Sequence, residues 1–285
     1  MKKLLMVSTL VAGLLLVGCG KSAAPAKAET ATKTAATTQA TAAVVDGKAI
    51  FEVADVKGDD NGPGTYTYPT DRVFAPGAFD LTGFKIVDAG ANYNFVFEIA
   101  TPFKNDWKNA GGWDVQMFDV YMNLGTGKFK HTVSGRHVKI AEGWDVAMVV
   151  GPDKASRMRK EIDDKNEEVF DDVTPAENIA KNVLIPDNVT VKGNTLIATI
   201  AKDKAGDLSK LNGVQAFMLG SEGYPNKEDT YNRVVNEFSA QWRIGGGSDY
   251  FGDPNVMDII GDNKALGNYK SDEGVSEFAT INLVK

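Results

Sequence analysis

Carboxylates set beside glycine and proline are the first residues in this chain that can do chemistry. Residues 58–69 read GDDNGPGTYTYP, so Asp59, Asp60 and Asn61 precede a Gly62-Pro63-Gly64 turn. Gly62 and Gly64 can adopt backbone angles closed to other residues, and Pro63 fixes its own. Tyr66 and Tyr68 then fall on one side of the strand that follows, and Phe79-Asp80-Leu81 reads as the next strand. Backbone oxygens and the carboxylates of Asp59 and Asp60 can converge in such a loop, forming the hard oxygen cluster that holds Ca2+. Asp80 or Asp119 can join them, and a further acidic loop carries Asp249, Asp253 and Asp258. None of these spacings is that of an EF-hand. The competing reading is a polar turn whose acids cap backbone amides.

Catalytic chemistry finds little support. His131 and His137 are the two histidines and Cys19 the single cysteine, which leaves no clear Ser-His-Asp pattern and no H-E-x-x-H. A glycosidase needs two carboxylates alone, and an acidic chain can supply them. Gly245-Gly246-Gly247 lacks a surrounding βαβ unit, so it reads as a turn and not as a nucleotide loop.

The elements that must position these groups begin after a targeting segment. Lys2 and Lys3, the apolar run 4–17 and Leu16-Val17-Gly18-Cys19 have the form of a lipoprotein signal, so residues 1–19 are expected to end in a lipidated Cys19. Residues 20–43 are rich in Ala, Thr and Lys without an aromatic, and are expected to be a disordered tether. Together these predict an extracytoplasmic protein anchored to a membrane through its lipid alone. The net charge is −7 over 285 residues, and the signal and tether carry five of the lysines, so the remainder is more acidic still. That balance argues against nucleic acid as a partner.

Residues 44–285 are expected to form one β domain. Tyr93, Phe95, Phe97 and Ile99 alternate with Asn92, Asn94 and Glu98, the pattern of a half-buried strand. Residues 115–122 alternate similarly, and further runs lie at 45–53, 145–150, 195–200, 214–219, 240–244 and 277–284. Residues 153–182 break the pattern and read as a charged excursion with a short helix, placed outside the sandwich. Many short strands bounded by Gly, Asn and Asp predict an all-β fold of two packed antiparallel sheets.

The ordered series GDDNGPGTYTYP at Gly58, FDL at Phe79, VQMFDVYM at Val115, GRHV at Gly135, WDVAMVV at Trp144, QWRIGGG at Gln241 and DPNVMDIIG at Asp253 resembles the C-terminal module of glucodextranase. Similar modules follow the catalytic parts of amylopullulanases. The resemblance implies a DOMON-like β-sandwich akin to family 9 carbohydrate-binding modules, a non-catalytic role in binding an α-glucan or envelope polysaccharide, and the structural calcium common in related sandwiches. Sugar binding calls for flat aromatic faces and a few polar groups. Trp107 and Trp113 on the loop 106–113 and Trp144 at a strand start are the candidates, whereas Trp242, alternating with Ala240 and Ile244, reads as core. The motifs imply that Gln116 and Arg136 lie close to that site, although Arg136 can equally pair with an acid. Some DOMON-like domains bind haem for electron transfer, for which Met117, Met122, Met148 and His137 would be the ligands. A wall-associating structural protein is the third reading.

Overall fold

The computed structural model describes residues 45–167, 178–223 and 230–285. Cys19 and the expected signal and tether lie outside the described residues, as does part of the charged excursion. In chain order the strands are β1 (Lys48–Ala54), β2 (Leu81–Ala89), β3 (Asn92–Ile99), β4 (Gln116–Met122), β5 (Phe129–His131), β6 (Val138–Trp144), β7 (Val146–Val150), β8 (Val183–Leu184), β9 (Asn188–Lys192), β10 (Thr195–Ala201), β11 (Val214–Gly220), β12 (Asp258–Ile259), β13 (Lys270–Asp272), β14 (Val275–Glu277) and β15 (Ala279–Ile281). A 12-residue helix, α1 (Ala155–Asn166), separates β7 from β8.

The architecture is the expected all-β sandwich. One sheet runs β1-β2-β3-β10-β9 and the other β12-β11-β4-β7-β8, with a smaller sheet β15-β6-β5 and the hairpin β13-β14. The first sheet is antiparallel throughout. Two pairings elsewhere are parallel, β7 with β8 and β15 with β6, which strand alternation alone does not signal. Tyr93, Phe95, Phe97 and Ile99 of β3 point into the layer between the sheets, as their spacing requires. There Phe97 meets Phe118 of β4 at a ring separation of 4.4 Å.

Every residue of β4 and β11 is buried, because the second sheet is covered on both faces. Met117, Tyr121, Phe217 and Leu219 turn away from the first sheet and pack with Ile140 and Trp144 of β6 and with Met158 and Ile162 of α1. The excursion is therefore not wholly outside the sandwich. Its helix has two apolar residues four apart, one thin stripe that meets this core, while i,i+4 pairs such as Arg159–Asp163 (2.5 Å) and Glu161–Lys165 (2.8 Å) lie along its remaining surface. Two further expectations fail locally. Residues 240–244 are not a strand but an irregular loop with isolated bridges Ala240–Arg243 and Val235–Ile244, and no strand follows the Gly62-Pro63-Gly64 turn before β2.

Arg136 is fully buried and does not face a ligand site. Its Nε and Nη2 donate to the Asp119 carboxylate on β4, at 2.7 and 3.1 Å. Nη1 donates to the carbonyls of Ser134 (3.0 Å) and Thr230 (2.7 Å) and to Asn232 Oδ1 (2.9 Å), while the Tyr121 hydroxyl donates to Asp119 (2.7 Å). Asp119 is thus a partner of Arg136, on the far side of β4 from the inter-sheet layer, and not a member of the acidic loop. Replacing Arg136 by Ala leaves a buried carboxylate without its counter-charge and should cost about 3–5 kcal/mol, read as a shift of the urea midpoint. Arg136→Met combined with Asp119→Leu should cost less than Arg136→Ala alone; a reversed order would show that the charge is not what makes the site sensitive.

Candidate functional site

The acids converge, though not all of those expected. Asp59 from the loop, Asp80 just before β2 and Asp258 at the start of β12 bring carboxylate oxygens within 4.8 Å of one another. Gly58 N–H donates to Asp80 Oδ2 (2.9 Å), and Leu81 N–H to Asp258 Oδ2 (2.7 Å). Asp55, just after β1, accepts from Gly261 N–H (2.9 Å) through Oδ1. Asp55 Oδ2, Asp59 Oδ1 and Asp80 Oδ1 are buried without a hydrogen-bond partner. Burial, reinforced by the neighbouring carboxylates, pushes Asp55 and Asp80 up to about 6 and Asp258 up to about 9, and raises Asp59. Orphaned hard oxygens amid like charge are the donor set a divalent cation such as Ca2+ completes, so these residues fit that ion.

Asp60 turns elsewhere. Its carboxylate takes the Tyr68 hydroxyl, which in turn accepts from Phe79 N–H (2.8 Å). The tight loop below depends on Gly62, at φ 57°, where a Cβ would lie 2.2 Å from the Tyr66 ring. Asp258 and Asp55 were not grouped with this loop by sequence, since only the pairing of β1 with β2 and of β11 with β12 brings them there.

The aromatic candidates divide differently from their expected roles. Trp113 is fully buried, its indole N–H donating to the Gln116 carbonyl (2.8 Å), because Gly111 leaves space for the ring to fold back: a Cβ there would lie 2.6 Å from it. Trp144 is also fully buried, its N–H donating to the His131 carbonyl (2.9 Å) and its ring packed against Phe129 and Tyr121. Gln116 is buried, with Nε2 donating to the Ala78 carbonyl (2.9 Å). None of the three offers a face to solvent. Trp107, by contrast, is 42% exposed, and Trp242, read as core, is 44% exposed.

Trp107 and Trp242 wall a cleft of about 610 Å³, whose lining includes Asn109, Asp114, Tyr231 and Arg233. The indole centroids lie 5.9 Å apart at 60°, and both rings rest edge-on against Phe74 at 6.2 Å. They touch, so they are two facets of one wall and not opposed jaws. Asp114 fixes the first facet by accepting from the amides of Asp106 and Trp107. Arg233 fixes the second: one Nη1 contact goes to the Trp242 carbonyl, Glu222 pairs with it at 2.8 Å, and its guanidinium sits 5.1 Å from the Phe74 ring. Burial raises the Asp114 carboxyl and lifts the Tyr231 hydroxyl to about 12, and it lowers Arg233. The Tyr231 hydroxyl and Arg233 Nε are buried without a hydrogen-bond partner. Sequence spacing does not single out Asp114, Tyr231 and Arg233, because each lies in an irregular segment with no periodicity to place its side chain; Asp114 next to Trp113 is the nearest thing to a signal.

Met122 and Met148 lie in the core between the sheets and Met117 in the core beyond the second sheet, whereas His137 packs against Phe251 and Phe278. The four do not surround a common space.

A sandwich with one sheet buried on both faces and an aromatic-walled cleft among its rim loops is the frame of a ligand-binding module. The family described as the C-terminal binding module, SLH-like, of glucodextranase matches residues 50–282, and the chain belongs to it. The match takes in both the acid cluster and the cleft. No curated protein matches the chain.

If Asp114 holds the Trp107 loop, Asp114→Ala should speed hydrogen exchange at the Trp107 amide by roughly tenfold or more while exchange in β3 stays unchanged. Equal protection in both proteins would assign the loop's order to other contacts.

Proposed function

We propose that this chain is a non-catalytic, carbohydrate-binding lipoprotein that captures an α-glucan or a related envelope polysaccharide outside the cytoplasm. The observation that carries the reading is the exposed Trp107–Trp242 wall beside buried, unpartnered hydrogen-bonding groups on Tyr231 and Arg233. Two indole faces suit the C–H face of a pyranose, and a phenol and a guanidinium suit its hydroxyls. Membership in a family of binding modules supports the same conclusion. Cys19 would carry the lipid and residues 20–43 would give the module reach from the membrane. Wall association is a variant of this reading with the same surface and a different polymer. The haem reading lacks a common ligand space for Met117, Met122, Met148 and His137.

Asp55, Asp59, Asp80 and Asp258 would hold a structural Ca2+ that offsets their mutual repulsion and ties the acidic loop to β2 and β12.

Affinity electrophoresis on pullulan, dextran and isolated envelope polysaccharide tests the first proposal. Trp107→Ala and Trp242→Ala should each weaken retardation by about 2 kcal/mol, roughly thirtyfold. Unchanged mobility of both variants would remove the cleft from the site. For the cation, adding Ca2+ after EDTA should raise the melting temperature of the native protein. Asp80→Asn can keep the Gly58 hydrogen bond while turning an amide toward the remaining acids, so it should melt higher than wild type in EDTA and gain nothing from Ca2+. A wild-type melt indifferent to both reagents would sink the metal.

A further inference from the structure

Among the described residues, three that are not glycine hold positive φ: Lys108 at 57°, Tyr231 at 62° and His137 at 56°. Such a backbone is strained and persists where surrounding contacts over-determine it, often at a ligand site. Tyr231 lines the aromatic cleft, and Lys108 lies in sequence between two residues that line it, Trp107 and Asn109. The third lines another recess.

That recess has a volume of about 260 Å³, and His137, Asn236, Ser248, Asp249, Tyr250 and Phe251 are among its walls. It adjoins the cleft through consecutive residues, because Arg233 lines one and Val234 and Val235 line the other. Its floor is rigid. The His137 ring lies flat on Phe278 at 4.8 Å and 12°, with Phe251 against it at 4.2 Å, and its Nδ1 meets the Asp253 carbonyl at 3.0 Å. The Gly135 carbonyl accepts from Asn232 Nδ2 (2.9 Å) and Asn255 Nδ2 (2.7 Å), which holds the turn in its left-handed shape. The Asp253 carboxylate accepts from Ser248 N–H (3.1 Å), Ser248 Oγ (2.6 Å) and Ser271 Oγ (3.1 Å). Tyr250 stands at the mouth, 49% exposed, with exposed Asp249 beside it.

We propose that this recess is a second sugar site, which takes a single uncharged pyranose residue. Tyr250 presents a ring for the C–H face, and Asp249 and Asn236 present oxygens for hydroxyl donors. The volume suits one ring and not an oligosaccharide. Two acids in the lining, Asp249 and Asp253, disfavour an anionic ligand. The proposal rests on the carbohydrate reading of the cleft, and it makes the module bivalent: a polymer held at both places dissociates more slowly than one held at either.

Equilibrium titration of the full chain in detergent with maltotriose, and with isomaltotriose in parallel, tests it. Two sugars should bind per wild-type chain, one per Tyr250→Ala chain and one per Trp242→Ala chain. On pullulan or dextran gels Tyr250→Ala should lose roughly tenfold in retardation through lost bivalency, and Asp249→Asn should behave like it. A stoichiometry of one that Tyr250→Ala leaves unchanged would overturn the second site while keeping the cleft. Binding lost in Tyr250→Ala but intact in Trp242→Ala would keep the recess and overturn the cleft, and no binding to any of these glucans would overturn both.

Discussion

A guanidinium and a carboxylate sealed away from water hold the working side of this molecule together. Removing such charges from solvent is costly, and the cost is offset only when every donor is used in good geometry. Arg136 meets that condition by reaching Asp119 on β4 with two nitrogens and the backbone of two separate segments with the third. One segment is the turn at Ser134–His137 and the other runs through Thr230 and Asn232. Tyr231 sits between the latter two, and His137 ends the former. The strained conformations of both are thus pinned to the second sheet through one side chain.

That dependence explains which parts of the structure could be read from the chain. The inward face of β3 was legible because one side of it meets solvent, so the period of two survives as alternating Phe and Asn. β4 and β11 have no solvent side, and alternation there carries no information about which neighbour each residue meets. The tryptophans show the same limit from the other direction. Trp113 and Trp144 occupy loop-like or terminal positions that suggest a solvent-facing ring, yet each has found a carbonyl for its N–H inside the protein. Trp242 has Ala240 and Ile244 two positions to either side, but residues 240–244 do not form a strand, so that spacing says nothing about burial.

Of the acids, Asp59 and Asp80 were recognisable from a Gly-Pro-Gly loop followed by a strand. Asp55 and Asp258 come from near the two ends of the module, and their meeting is a property of sheet order. Asp60 and Asp119 turn instead to a tyrosine hydroxyl and a guanidinium. Unpartnered oxygens mark Asp55, Asp59 and Asp80, whereas Asp258 joins them with both oxygens already accepting hydrogen bonds. The Tyr68 hydroxyl also links the acidic loop to the aromatic floor, since Tyr68 packs on Phe79, Phe79 on Phe74, and Phe74 under both exposed indoles.

Trp107 and Trp242 come from distant parts of the polypeptide and meet above Phe74, which belongs to neither of their loops. The indole pair is consequently a product of long-range closure, absent from any partly synthesised or partly unravelled chain. An incomplete copy of the chain carries the two rings but not the shelf they build. Proteolytic loss of the segment that carries Phe74 would likewise unseat both indoles without touching the rings themselves.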